Sequence, residues 1–273
     1  MALADQFDGL LIDLDGVVWI GREPVPGSVE TLAALLADGK EIVFVTNNPS
    51  KGPLAYAERM RELGVDIGPE RIVTAGMVAA RLAGEAAGPG GSAFVIGATP
   101  LRETVAATGA TVVEGEAGRE ADVVVVSGYR GFDYEMLLTA TLALANGAAL
   151  VATSHDPTMP MPGGAWPGTG AILAAVETAS GKTAAIGGKP EGHLFEMALD
   201  VVRGSFRTDG VQKEPRDPRV AMVGDRIASD IDGGRAAGLE TVLVLSGAST
   251  RAEAEAAQPP PDHVVENLAA LLR

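Results

Sequence analysis

Short apolar runs alternate along this chain with stretches whose apolar positions recur at helical spacing, and several runs end abruptly in small polar or charged residues. Leu10-Leu11-Ile12 leads into Asp13-Leu14-Asp15-Gly16, and Glu41-Ile42-Val43-Phe44-Val45 into Thr46-Asn47. The runs over 183–186 and 220–223 lead into Gly187-Gly188-Lys189 and Gly224-Asp225. Runs of this length and composition predict strands buried on both faces of a parallel sheet. Between them the spacing predicts helices. Ser28 reads as an N-cap for a helix through Leu32, Leu35 and Leu36, closed by Gly39. Pro53 opens another, and further helices are expected over 133–147, 169–180, 191–202 and 227–237. Residues 19–26 read as a turn-rich flap and 207–218 as a polar loop. Strand and helix patterns in alternation predict an α/β fold with a doubly wound parallel sheet.

Gly88-Pro89-Gly90-Gly91-Ser92 is the sharpest break in the first half. A second βα series comes after it, with strands over 93–96, 122–126 and 149–152 and a Pro/Gly-rich loop over 153–164. The expected organisation is a core built from 1–87 and 184–273, with 88–183 inserted as a second α/β domain. At 273 residues, 47% hydrophobic, with mean hydropathy +0.19, the chain carries enough apolar surface for both cores. A formal charge of −15 argues against nucleic-acid or anionic-membrane partners, which need a basic footprint. That charge also requires local positive charge wherever an anion binds. With no cysteine, disulfides and thiolate metal sites are excluded. Residues 1–6 lack a basic segment followed by an apolar one, and no apolar run approaches membrane length; the expectation is a cytoplasmic protein.

The polar residues at the strand ends carry the candidate chemistry. In open parallel sheets ligands bind outside the carboxyl ends of the strands, so Asp13, Asp15, Thr46, Asn47, Lys189 and Asp225 would converge on one crevice. Carboxylates at 13 and 225 suit Mg²⁺, which takes one or two carboxylates together with waters and substrate phosphate. The Thr46 hydroxyl and Asn47 amide can donate to phosphate oxygens, and Lys189 supplies a compact positive charge. Other features carry less. Ser180-Gly181-Lys182-Thr183 has the ending of a P-loop, but Val176 stands where the motif needs glycine. The three histidines, at 155, 193 and 263, lack ligand spacing.

Asp13-Leu-Asp15-Gly16-Val17, Thr46-Asn47-Asn48, Gly188-Lys189-Pro190 and Gly224-Asp225-Arg226-Ile-Ala-Ser-Asp230 occur in the order of the four motifs of the haloacid dehalogenase (HAD) superfamily. With Trp19-Ile-Gly21 and Asp156-Pro-Thr in addition, the chain resembles its type IIA phosphatases over essentially its whole length. The resemblance implies a HAD-like core with an inserted cap and Mg²⁺-dependent hydrolysis of a small phosphomonoester through an aspartyl-phosphate. By the same resemblance Asp13 is the nucleophile and Asp15 the proton donor and later base. Thr46, Asn47 and Lys189 hold the phosphoryl group. Asp13, the Asp15 carbonyl and Asp225 ligate the metal, with Asp230 and Gly16 supporting them. Selectivity is expected from the insert, at Tyr129, Arg130 and His155. Ser154 departs from the group's pattern, which often carries Asn there. The group's habit of pairing through caps leaves a homodimer open. A phosphomutase or phosphotransferase of the same superfamily, and a non-catalytic binder of phosphorylated metabolites, remain the alternative readings. A phosphorelay receiver shares the strand-end chemistry but is near half this length and has no large insert.

Overall fold

In a computed structural model, which describes residues 2–161, 164–208 and 218–273, the run Gly9–Asp13 lies inside a six-stranded sheet. The strand order is His263–Val265, Glu240–Val244, Val220–Gly224, Gly9–Asp13, Glu41–Thr46 and Ile72–Thr74. The first five of these pair in parallel. Leu10, Ile12, Ile42, Phe44, Ala221 and Val223 share one apolar cluster with Leu32, Leu35 and Met60. Leu11, Val43 and Met222, which alternate with them, are fully buried as well. The sheet is therefore covered on both faces, and this is why these strands read as continuous apolar runs rather than alternating ones.

Register then fixes where the polar ends fall. Ile12 pairs with Val223 on one side, and Asp13 pairs with Val45 on the other. Thr46 and Asp225 accordingly come within a residue or two of the Asp13 level, on strands about 4.8 Å apart.

The structure divides into two units, one of 1–46, 53–73 and 189–273, the other of 47–52 and 74–188. The second has its own parallel sheet, ordered Ala185–Ile186, Ala149–Ala152, Val123–Val126, Ser92–Ile96 and Thr111–Val113. These limits differ from the expected insert of 88–183 at both ends, and the run over 183–186, expected as a core strand leading into Lys189, supplies Ala185–Ile186 of the second unit's sheet instead. The helix Ala75–Ala87, expected in the core, belongs to the second unit, because Ala79, Ala80 and Ala83 pack against Val95, Val123 and Val125. The Gly/Pro-rich break at 88–92 is the loop from that helix into the strand Ser92–Ile96. No helix among the described residues is long and apolar enough to cross a membrane.

Three local expectations also change. Ser28 is the first residue of the helix Ser28–Ala37 rather than its cap, because its buried hydroxyl donates to the Val18 carbonyl at 2.9 Å. The expected loop over 153–164 contains the strand Thr158–Met161, paired antiparallel with Gly164–Pro167; residues 162 and 163 lie outside the described set. Most of the polar loop expected over 207–218 falls on 209–217, also outside it.

The sheet core predicts a contrast in stability. Phe44, fully buried, replaced by alanine should destabilise the first unit by about 3–5 kcal/mol. Leu142→Ala, at a position 37% exposed on the second unit, should cost less than about 0.5 kcal/mol. Urea denaturation of the two variants measures both values, and equal shifts would contradict this account of the core.

Candidate active site

The carboxyl edge of the first unit's sheet gathers three acids around one lysine. Lys189 Nζ lies 2.8 Å from Asp13 Oδ1 and 2.7 Å from Asp230 Oδ1. All four groups are shielded from solvent, with Asp13 7%, Lys189 3%, Asp225 3% and Asp230 0% exposed. The other Asp230 oxygen, Oδ2, accepts from the backbone N–H groups of Asp225 (3.1 Å) and Arg226 (3.0 Å). One side chain thus pins both the lysine and the turn that presents Asp225. The chain responds locally: the helix expected over 227–237 begins as a π-helical turn, Ile227–Ile231, before the α-helix Asp232–Ala236. Such turns commonly mark functional positions.

Asp225 is gripped on one oxygen only. Its Oδ2 accepts from Ala248 N–H at 2.7 Å, and its carbonyl from Ser249 N–H at 3.0 Å. Oδ1 is buried and has no hydrogen-bond partner among the described residues. Two glycines permit this packing. A Cβ on Gly16, whose φ is +89°, would sit 2.3 Å from Asp225 Oδ2, and one on Gly247 would sit 2.0 Å from it. The Gly16 carbonyl in turn accepts from Ser246 Oγ at 2.7 Å.

Asp15 differs from Asp13 in being exposed. Its Oδ1 accepts from the indole Nε1 of buried Trp19 at 3.0 Å. Trp19 is itself covered by the helix Pro53–Glu62. The Tyr56 ring lies parallel to it with centroids 6.3 Å apart, and the Arg59 guanidinium carbon is 3.8 Å from its centroid. Burial against the indole lowers the Arg59 pKa from its ordinary value, and the nearby Asp15 carboxylate opposes that shift.

Three carboxylates against one ammonium leave a buried excess of negative charge, and the titration behaviour reflects it. Burial, with Asp230 and Asp225 adding repulsion and Lys189 opposing, raises Asp13 well above the ordinary carboxylate value. Burial and then Asp230 push Asp225 up to about 6. For Lys189, burial works against the charge, but Asp13 and Asp230 more than offset it and hold the ammonium above its usual value. Oxygens of Asp13, Asp225 and Asp230 lie within 4.8 Å of one another. An oxygen-only set with excess negative charge and an unused Asp225 oxygen fits a hard divalent cation.

Of the other residues singled out in the sequence, one shares this edge and four belong to the second unit. Thr46 is buried at the same sheet edge. Asn47 belongs to the second unit, where its Nδ2 donates to Asp156 Oδ2 at 3.2 Å. Tyr129, Arg130 and His155 also belong to that unit. Tyr129 is partly buried against its core, and exposed Arg130 stacks 4.7 Å from the centroid of Trp166. His155 is exposed. The sequence reading missed the loop 246–249, and it missed Arg59 altogether. A signal for the loop exists: Ser246-Gly247-Ala248-Ser249 comes just after the strand Glu240–Val244, a further strand end on the same edge.

The buried acids predict a coupling between pH and cation. Asp225 and Asp13 have folded values above the ordinary 3.8. Protonation therefore favours the folded state, a contribution complete below the unfolded value and lost as pH rises through about 6. Metal-free protein should melt at lower temperature at about pH 7.5 than at about pH 5, and added Mg²⁺ should raise the melting temperature more at the higher pH, where protons no longer compete. Asp225→Asn should shrink both effects. Thermal denaturation with chelator or Mg²⁺ checks this; a larger Mg²⁺ increment at the lower pH would refute it.

Comparison with known proteins agrees with the motifs. Residues 10–111 match a family model described as haloacid dehalogenase-like hydrolase, and residues 186–271 match a second, HAD-hydrolase-like model. The chain is 36% identical to a D-glycerol 3-phosphate phosphatase of Mycobacterium tuberculosis over 94% of its own length and 68% of the relative's. It is 32% identical to an acid sugar phosphatase of Staphylococcus aureus, over 96% of both chains. Among solved structures, glycerol phosphate phosphatase from M. tuberculosis in complex with magnesium superposes with a TM-score of 0.86 at 34% identity, covering 100% of this chain and 78% of that one. With a relative 32% identical matched along 96% of its length, two family models covering most of this chain, and the four motifs in order, the chain belongs to the haloacid dehalogenase-like hydrolases.

Proposed function

We propose that this protein is a Mg²⁺-dependent phosphatase that hydrolyses a small phosphomonoester through an aspartyl-phosphate on Asp13. The observation that carries the reading is the Lys189 clamp: a buried carboxylate at the sheet edge, with one oxygen held by an ammonium at 2.8 Å, backed by a buried second acid.

Asp13 attacks phosphorus in line, and the P–O bond to the leaving group breaks as the Asp13 oxygen–phosphorus bond forms. Lys189 favours the ionised form of the nucleophile and balances charge gathering on the phosphoryl oxygens. Thr46 and Asn47, consecutive in the chain, supply hydroxyl and amide donors to those oxygens. Asp15 gives its proton to the leaving oxygen and then takes one from the water that attacks the aspartyl-phosphate. Asp13, the Asp15 carbonyl and Asp225 are the oxygens that would hold Mg²⁺, which when bound supplies Lewis-acid stabilisation of the phosphoryl charge. Asp230 acts at one remove, fixing Lys189 and the Asp225 turn. Selectivity is assigned to Tyr129, Arg130 and His155 of the second unit. The names of the relatives favour a polyol or sugar phosphate as substrate.

Phosphate release measures the reading. Wild-type protein should hydrolyse 4-nitrophenyl phosphate with Mg²⁺ and stop in excess chelator. Asp13→Asn should fall by at least about 10³-fold, and Asp15→Asn by about 10²–10⁴-fold on alkyl phosphates. Full activity of Asp13→Asn would overturn the mechanism. A panel containing glycerol 3-phosphate, hexose phosphates, phosphoglycolate, nucleoside monophosphates and pyridoxal phosphate reads out the substrate.

A further inference from the structure

Asp15 has two oxygens, and in proton transfer they are not equivalent. One must carry the proton towards the leaving group; the other is best held as an acceptor. An indole N–H donates and never accepts. The Trp19 Nε1–H aimed at Asp15 Oδ1 (3.0 Å) therefore suits that oxygen as the carbonyl-like one and leaves Oδ2 to carry the hydrogen.

The indole is itself held in place from several directions. Gly16 N–H donates to the Trp19 carbonyl at 2.7 Å, and Trp19 N–H donates to the Leu14 carbonyl at 3.2 Å, closing the turn that contains Asp15. Trp19 is fully buried, and the two helix residues over its ring, Tyr56 and Arg59, stand three apart on one helix face. Arg59 Nη2 donates to the Gly21 carbonyl at 2.7 Å, anchoring the guanidinium over the ring. A buried indole N–H needs an acceptor in any case; here the acceptor is the carboxylate assigned the proton transfer.

We propose that Trp19 is a positioning residue for the proton donor, its indole N–H fixing Oδ1 of Asp15 as the acceptor so that Oδ2 presents the transferable proton, with Arg59 bracing the indole. This rests on the phosphatase reading. When the P–O bond to the leaving group breaks, the departing oxygen keeps the electron pair and takes the Oδ2 proton; Asp15 is left as a carboxylate, and the Trp19 hydrogen bond is retained throughout.

Leaving-group chemistry separates this role from a structural one. An alkoxide needs the proton as it departs, whereas 4-nitrophenolate leaves readily without it. Trp19→Phe keeps an aromatic ring against Tyr56 and Arg59 but removes the donor. It should lower kcat/KM for an alkyl phosphate that the wild type hydrolyses, glycerol 3-phosphate or a hexose phosphate, by about tenfold, and for 4-nitrophenyl phosphate by less than about threefold. Arg59→Gln, on the surface of the helix, should show the same alkyl-selective loss in weaker form, and it provides the readout if Trp19→Phe does not fold. Equal losses on both esters in the folded variants, or no loss on either, would overturn the proposal while leaving the phosphatase reading intact. A wild-type protein that hydrolyses neither ester would overturn that reading, and this proposal with it.

Discussion

Everything at the sheet edge depends on one buried ammonium shared between two carboxylates. Lys189 reaches Asp13 at the end of the strand Gly9–Asp13 and Asp230 in the π-helical turn after Val220–Gly224. Opposite charges inside a protein repay their lost hydration only when the geometry is tight, and removing one partner of such a set typically costs about 3–5 kcal/mol. The lysine thus ties segments far apart in sequence into one cooperative cluster. The same arrangement leaves the acids in excess, so the folded state stores repulsion that a proton or a cation relieves. A cation held by those oxygens would couple ligation to stability, because the same oxygens carry the repulsion.

Much of this is legible in the sequence because the chemistry sits where the hydrophobic pattern stops. A buried parallel strand announces itself as an apolar run, and register between neighbouring runs brings their first polar residues to one edge. Asp13, Thr46 and Asp225 obey that rule; Lys189 does not, because the run before it, Ala185–Ile186, is a strand of the second unit's sheet. The rule gives no account of what the residues do to one another. That Asp230 serves both Lys189, through one oxygen, and a backbone turn, through the other, depends on a π-helical turn that no periodicity encodes.

The misreadings have a common physical origin in tertiary competition for local signals. Ser28 has the right chemistry for a cap, yet its hydroxyl is spent on Val18. Gly88-Pro89-Gly90-Gly91 has the composition of a linker, yet the alanine-rich helix before it packs on Val95 and Val123 and so joins the sheet those strands build. Trp19 is a core aromatic, but its single polar atom is directed at Asp15. Arg59 carries no local signal at all, since a stacked guanidinium on a surface helix reads like any solvated cation.

The strand order also has a consequence for how the chain is made. Gly9–Asp13 leaves the ribosome early, but one of its two flanking strands, Val220–Gly224, lies about two hundred residues downstream. At about 5–20 residues per second the wait is roughly 10–40 s. The second unit, drawn mostly from the continuous stretch 74–188, has all its strands in hand before then. During that interval the fully buried strand Gly9–Asp13 has an open edge and an incomplete core. The strand that carries Asp13 is therefore the segment most in need of protection from aggregation during synthesis.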